Sequence, residues 1–457
     1  MTETKTSIEK RIKNIQGIYD KLDTLFDYIP ENYAKKIKGV ILGDKELKEL
    51  INSLDKYRAP RILLVGRTGF GKSSLINALM GSYVAEVSDV QSCTPRTIKY
   101  NYCSSSCAPL EILDTRGISE SLPVDEAQSA EKQILEDVLE FDPDVALLVL
   151  SCTSRDGIDD DIGFMKKIRK TCYQKNAIEL PVIITLNKAD AVTPSRETLP
   201  YSTEKMSNIN AIKENIQNIC ESTSFKVNTI IPVSSCIDWI DDKGKELKTA
   251  DQLNILSREQ RLALRISFDG RYQISELEQA LENSISNSDA NMGMKLVFHL
   301  NQILEKIAKE LIMIFCGLSS IIVGVSLPVA DYFVLLALES VLVSMIMALS
   351  GRDMSLDTAK EFILSLTGTA AVGLAFRQAA RIAVKFIPVA GNLVSAGIAA
   401  VGMKAIGDAS IEYFIKGFDL KEVRKKYQKQ SQKEIFVEKS KNLLNKVLAP
   451  IKKNKHK

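Results

Sequence analysis

The octet Gly66-Arg67-Thr68-Gly69-Phe70-Gly71-Lys72-Ser73 follows the apolar run Ile62-Leu63-Leu64-Val65 and precedes the helical pattern Ser74-Leu75-Ile76-Asn77-Ala78-Leu79. A buried strand that turns through glycines into a helix is the entry to an α/β sheet with a phosphate site at its carboxyl edge. Gly66, Gly69 and Gly71 let backbone N–H groups converge on phosphate oxygens, and the helix opening at Ser73-Ser74 adds its positive dipole end. Lys72 would bridge phosphate oxygens and Ser73 would offer a hydroxyl to Mg²⁺. The spacing predicts a nucleoside triphosphate as ligand.

A second motif selects the base. After the strand-like run Pro181-Val182-Ile183-Ile184-Thr185-Leu186 comes Asn187-Lys188-Ala189-Asp190. A carboxylate at Asp190 accepts two hydrogen bonds from guanine N1–H and its exocyclic amine, a donor pair that adenine lacks. Asn187 is expected at the other purine edge, with the Lys188 stem along the ring. Such a tetrapeptide alone says little. In register with the phosphate loop it points to GTP and GDP.

Between the two lies Leu110-Glu111-Ile112-Leu113-Asp114-Thr115-Arg116-Gly117, a strand ending in Asp-x-x-Gly. Asp114 is expected to hold magnesium through water, and the Gly117 N–H to sense the γ-phosphate. Upstream, Cys93-Thr94-Pro95-Arg96-Thr97 should bring a threonine hydroxyl to the metal, Thr94 being preferred and Thr97 the alternative. Last, Thr229-Ile230-Ile231-Pro232-Val233 runs into Ser234-Ser235-Cys236, expected to put a backbone N–H near the guanine oxygen.

These five positions, in order between Gly66 and Cys236, resemble the Era/TrmE-like branch of translation-factor-related GTPases over about half the chain. The resemblance implies a P-loop GTPase domain with a mostly parallel sheet, helices on both faces, and hydrolysis of GTP with Mg²⁺. Two departures bear on mechanism. Gly69 stands where TrmE-like proteins carry an asparagine that helps hold potassium, so no side chain serves that ion here. Ile118 follows Gly117, where Ras-like enzymes use a glutamine to orient water. Slow hydrolysis is expected in the monomer, faster if a homodimer partner supplies a polar group; Arg96 and Arg116 are candidates for a stabilising charge.

Composition narrows the rest. With 26% charged residues and net charge +3, nothing marks the chain as disordered or strongly nucleic-acid-binding. Only His299 and His456 occur, both outside the motifs, and eight cysteines form no Cys-x-x-Cys pair, which disfavours zinc or histidine chemistry. Reduced cytosolic thiols and the absence of a cleavable signal peptide are expected.

Four segments are expected: an N-terminal helical segment 1–57 beside the nucleotide domain, the GTP-binding domain 58–288, an all-α apolar domain 289–420, and a basic helical tail 421–457. A polar stretch 237–273 is read as covering the last loop before a helix near Ser275, with Ser275 and Glu278 as its capping pair.

Residues 311–330 carry no charge, Asp331 and Glu339 then interrupt apolar stretches reaching Gly351, and 386–403 are again uncharged. These lengths predict a spanning helix or tight membrane association, with a buried soluble bundle as the alternative. Pro328-Val329-Ala330-Asp331 and Ile387-Pro388-Val389-Ala390-Gly391 look like two helix starts, and this half resembles the YcjF-like helical membrane domain. The tail holds thirteen Lys/Arg against three Glu. It would favour the cytoplasmic face of a bacterial inner membrane, each charge contributing about 1 kcal/mol at anionic headgroups, or contact RNA phosphates, or be a solvated helix. RNA is the less favoured partner. A nonhydrolysing GTP-bound scaffold is a third reading.

Overall fold

The computed structural model describes residues 10–14, 17, 52, 56–85, 98–103, 109–115, 124–154, 156–247, 249–324, 330–367 and 391–434. Two compact units emerge: residues 56–299, and a second made from 1–55 with 300–457.

The first unit is built on a six-stranded sheet in the order β2-β3-β1-β4-β5-β6. Its strands are β1 (Arg61–Val65), β2 (Ile98–Cys103), β3 (Pro109–Thr115), β4 (Val145–Ser151), β5 (Val182–Asn187) and β6 (Thr229–Pro232). Only β2 runs antiparallel, at the edge against β3. The central strands β4 and β5 are buried at every residue, as parallel strands covered on both faces must be. Helices α1 (Lys72–Met80), α2 (Val124–Phe141), α3 (Ile158–Asn176) and α4 (Thr203–Ser222) alternate with the strands. The apolar rows of α3, Ile162, Met165 and Ile168, pack into one core with Leu148, Leu150 and Ile184 of the sheet. This bears out the α/β expectation for the nucleotide domain.

Beyond β6 the structure departs from the sequence expectation, because residues 237–273 are not a covering loop. They build a second, antiparallel sheet from β7 (Ser234–Ile240), β8 (Glu246–Leu247) and β9 (Arg265–Tyr272), in the order β8-β7-β9, with short helices α5 (Ala250–Asn254) and α6 (Arg258–Leu262). Only one face is apolar, so β9 stays half open to solvent and leaves no alternation to detect. A small core of Tyr83, Trp239, Leu247 and Leu253 seats it beside the end of α1. Tyr83 meets Trp239 edge-on at 6.0 Å, and its hydroxyl donates to Asn254 Oδ1 at 2.7 Å.

Helix α7 (Ile274–Ser284) closes the unit. Its N-cap is Gln273 in a left-handed conformation (φ 52°) with no side-chain cap bond, so the expected Ser275–Glu278 capping pair does not form: both residues lie within the helix. The long α8 (Ser288–Gly324) comes next, with one non-helical residue, His299 (φ −123°, ψ 18°), where the two units divide. His299 Nε2 lies 2.7 Å from Glu282 Oε1.

In the second unit, α8 continues from Leu300 and is joined by α9 (Ala330–Leu349), α10 (Leu356–Thr367), α11 (Gly391–Ser410) and α12 (Leu420–Glu434), the last two linked by a π-helical turn at Ile411–Ile415. Residues 338–350 of α9 and the turn after it are all buried, which makes α9 the central helix of this bundle. Glu339 is buried with them. Phe362 stacks on Tyr413 and meets Phe414 at a tilt, and the Arg352 guanidinium sits over both Tyr413 (5.4 Å) and Phe414 (5.1 Å).

Two expectations change here. Among the described residues no helix is long and apolar enough to cross a membrane. The charge-limited stretch 311–351 includes parts of both α8 and α9, and residues 338–349 of α9 are buried within the protein. Residues 10–14 are helical but join the helical unit, not the nucleotide domain: Asn14 Nδ2 donates to Arg352 O at 3.0 Å and Lys10 pairs with Asp353 at 3.4 Å. The described helices α9 and α11 begin just past Pro328 and Pro388, while the prolines themselves lie outside the described residues. The basic tail beyond Glu434 lies outside them too.

Candidate functional site

Strand β1 is flanked by β3 and β4, both parallel, so Val65 ends opposite Thr115 and Leu148. The loop from Gly66 therefore opens at the carboxyl edge of the sheet. A side chain at Gly66 would meet the Val149 carbonyl oxygen at 2.4 Å, which only glycine avoids. Gly71 stands at the N-cap of α1 with φ 81°, and a Cβ there would approach Asn187 Nδ2 to 2.5 Å. No side chain caps α1, leaving its first-turn N–H groups and dipole to serve an anion.

Lys72 is buried, and its Nζ donates to Gly66 O (2.7 Å) and Arg67 O (3.3 Å) while lying 3.9 Å from Asp114 Oδ1. Asp114 is itself buried near the end of β3, opposite Leu64. The next residue, Thr115, donates to Leu64 O at 3.2 Å and locks that strand end to β1. Ser73 and Ser74 open α1 and stay partly exposed. The structure thus brings Gly66, Gly69, Gly71, Lys72, Ser73, Ser74 and Asp114 to one edge. Thr94, its alternative Thr97, Arg96, Arg116, Gly117 and Ile118 lie outside the described residues.

The base motif sits at the end of β5, where Asn187 pairs with Ser151. Asn187 is fully buried, and its side chain bonds within the protein. Its Nδ2 donates to Phe70 O (3.0 Å) and Gly71 O (3.2 Å), and its Oδ1 accepts from Ser235 Oγ (3.1 Å). It ties the base loop to the phosphate loop. Ser235 is correspondingly a support for Asn187, and Ser234, also fully buried, accepts from Cys236 N at 3.3 Å. Both belong to strand β7. Lys188 takes a left-handed conformation (φ 62°) that starts a short turn, Ala189–Ala191, and leaves Asp190 partly exposed on it.

Arg67 gives no signal in sequence, since its position within the loop is not one that phosphate chemistry dictates. Its Nε donates to Asp161 Oδ2 (3.0 Å) and Oδ1 (3.2 Å), and its Nη2 to Gly157 O (2.7 Å), fastening the loop to the start of α3. Burial pushes the Asp161 carboxyl up, and the Arg67 guanidinium opposes that. A cavity of about 350 Å³ lies here, lined by Gly66, Thr115, Glu131 and Phe164 among others. Around Asp190, burial and then the carboxylate's charge push Tyr201 up to about 12 and Cys152 up to about 12. Cys236 rises for the same two reasons. A thiol raised in this way carries little thiolate at pH 7, which disfavours it as a nucleophile.

Such an edge, with a lysine-bearing phosphate loop wired to an Asn-Lys-x-Asp turn, defines a P-loop nucleotide-binding domain of the guanine type. Comparison with known proteins agrees. Residues 61–188 match the family model described as a 50S ribosome-binding GTPase. GTPase Der of Buchnera aphidicola (subsp. Acyrthosiphon pisum) is 29% identical over 219 residues, covering 48% of this chain and 44% of Der. The tRNA modification GTPase MnmE of Lactococcus lactis is 29% identical over 265 residues, 54% of this chain and 56% of MnmE. The chain spans about half the length of these curated relatives. A crystal structure of Era with MgGDPNP and 16S ribosomal RNA aligns over 39% of this chain and 52% of that one at 24% identity, with a TM-score of 0.27. Residues 61–188 thus match a GTPase family model, and the surrounding half of the chain is similar to the GTPases Der and MnmE.

Proposed function

We propose that this chain is a GTP-binding switch that hydrolyses GTP slowly and couples the nucleotide state to its helical unit. The observation that carries the reading is Asn187, whose amide joins the base turn to the phosphate loop at Phe70 and Gly71. Through it, order at the phosphates and order at guanine depend on each other. Lys72 and the uncapped start of α1 balance phosphate charge. Ser73 and Asp114 present hard oxygen donors suited to Mg²⁺, with Thr94 completing the set from sequence. When bound, that ion neutralises charge developing on the phosphates. Ile118 cannot orient water, and Gly69 offers no side chain to potassium.

Specific GTPase activity, measured by phosphate release over a hundredfold range of protein concentration, is expected to rise as a second copy completes the site. A rate that is fast and constant in dilute solution would overturn the dimer arm, and a large potassium-selective stimulation would overturn the Gly69 argument.

The helical unit is proposed to associate with the cytoplasmic face of a membrane, in bacteria the inner one. The uncharged runs and the basic 421–457 segment support this. In fractionated cells the full chain is expected to pellet with membranes and resist high salt, since screening weakens headgroup attraction but not apolar burial. A fragment of residues 56–299 is expected to stay in the supernatant and still bind GTP. Full-length protein in the supernatant at low salt would refute this arm. A second reading, an RNA- or ribosome-associated GTPase, is favoured by the match to a ribosome-binding GTPase family and by the tRNA modification that MnmE's name states. Recovery with ribosomes would establish it.

A further inference from the structure

Lys205 is fully buried, three residues past the N-cap Ser202 of α4, whose hydroxyl accepts from the Lys205 N–H at 3.3 Å. Ser202 is held in turn by Glu197, which accepts from its N–H (3.0 Å) and its hydroxyl (2.8 Å). From this anchored start the Lys205 side chain reaches back along the sequence. Its Nζ donates to Asp190 O at 2.6 Å, Val192 O at 2.8 Å and Pro194 O at 2.9 Å. An ammonium has three donors, and all three are used on alternate residues of one backbone segment. The Tyr201 ring lies 4.7 Å from the same nitrogen.

A buried charge is costly unless it is fully hydrogen-bonded, so this arrangement is one that only a specific backbone course can satisfy. The carbonyls must all turn inward at once. That requirement fixes the path of the chain from Asp190 to Pro194, and with it the direction in which Asp190 leaves the turn. The left-handed Lys188 constrains the turn from the other side. Asp190 is the residue that reads the two guanine donors, and a carboxylate reads two donors at once only if its plane is held.

We infer that Lys205 is a positioning residue for guanine specificity: its ammonium clamps the backbone of the Asp190 turn and holds the carboxylate in the orientation that accepts both N1–H and the exocyclic amine. The inference rests on the guanine reading of Asp190 proposed above. Lys205 touches no nucleotide and acts through Asp190.

The test compares GTP with inosine triphosphate, which keeps N1–H and lacks the exocyclic amine, on the full-length chain. Wild type should prefer GTP by ~10-fold, the worth of one charge-assisted hydrogen bond. Lys205→Met keeps the stem volume and removes the cation. It should bring that ratio to within about twofold of unity while weakening inosine triphosphate binding less than GTP binding. Lys205→Arg keeps the charge on a planar head that cannot meet three carbonyls from one nitrogen, and should fall between the two. Melting temperature is followed in parallel. If wild type discriminates and Lys205→Met binds both nucleotides more weakly by the same factor, the residue is merely structural and the inference fails. If Lys205→Met does not fold, Lys205→Arg decides by the same ratio, an unchanged value overturning the inference. If wild type itself fails to discriminate, the guanine reading falls first.

Discussion

Asp190→Asn is expected to weaken GTP binding by ~100-fold, because two charge-assisted hydrogen bonds of about 1.5 kcal/mol each are lost or reversed. The same change should improve binding of xanthosine triphosphate. Xanthine carries a carbonyl where guanine has its amine, and the asparagine amide presents donors there. Asp190 lies partly exposed on a turn whose backbone is held from elsewhere, by Lys205 and by the left-handed Lys188. The substitution should therefore leave the melting temperature nearly unchanged. Titration with both nucleotides gives the answer: an unaltered preference sinks the guanine assignment.

Asn187→Ala is expected to behave differently although it lies in the same motif. Asn187 is fully buried, and truncation leaves the Phe70 carbonyl without its Asn187 donor and the Ser235 hydroxyl without its acceptor, while the Gly71 carbonyl keeps only the Leu75 N–H. At about 1–3 kcal/mol for each buried polar group left unsatisfied, the fold itself should lose stability. The phosphate loop would lose its tether as well. Affinity for GTP, GDP and xanthosine triphosphate should fall together, by ~30-fold or more. Calorimetric titration with the three nucleotides and a melting curve separate the outcomes. A loss confined to guanine nucleotides, with an unchanged melting temperature, would mean that Asn187 acts at the purine edge as its sequence position first suggests.

The contrast between these neighbours shows where reading residues in order succeeds. Four of the six strands of the main sheet, β1, β3, β5 and β6, follow from apolar runs read in sequence, and Lys72, Ser73, Asp114 and Asp190 fall where the spacing puts them. Those features are local: a strand buried on both faces needs a continuous apolar run, and a phosphate loop needs glycines at set offsets. The second sheet is not legible, because β9 is mostly exposed and its partner strand lies beyond two short helices. The start of α7 misleads for a related reason. Ser275 and Glu278 have the spacing of a capping pair, but Gln273 leaves β9 in a left-handed turn and the helix begins at Ile274.

The long uncharged runs are a different case. Their length alone suggests a lipid environment, yet residues 338–350 are buried against other helices of the same unit. Hydrophobicity states that a surface must be covered and does not say by what.

What the sequence determined by itself is a phosphate loop of defined strand-loop-helix context and a carboxylate turn of the kind expected to distinguish guanine, each encoded within a few consecutive residues. What only the tertiary structure decided is how those pieces act as one site. Asn187 reaches the phosphate loop across more than a hundred residues, Arg67 reaches Asp161 and Gly157 on α3, and Lys205 closes on three carbonyls upstream of its own helix. Each of these bonds joins groups that no motif links to one another, and each exists because folding brings a donor to acceptors that water can no longer serve.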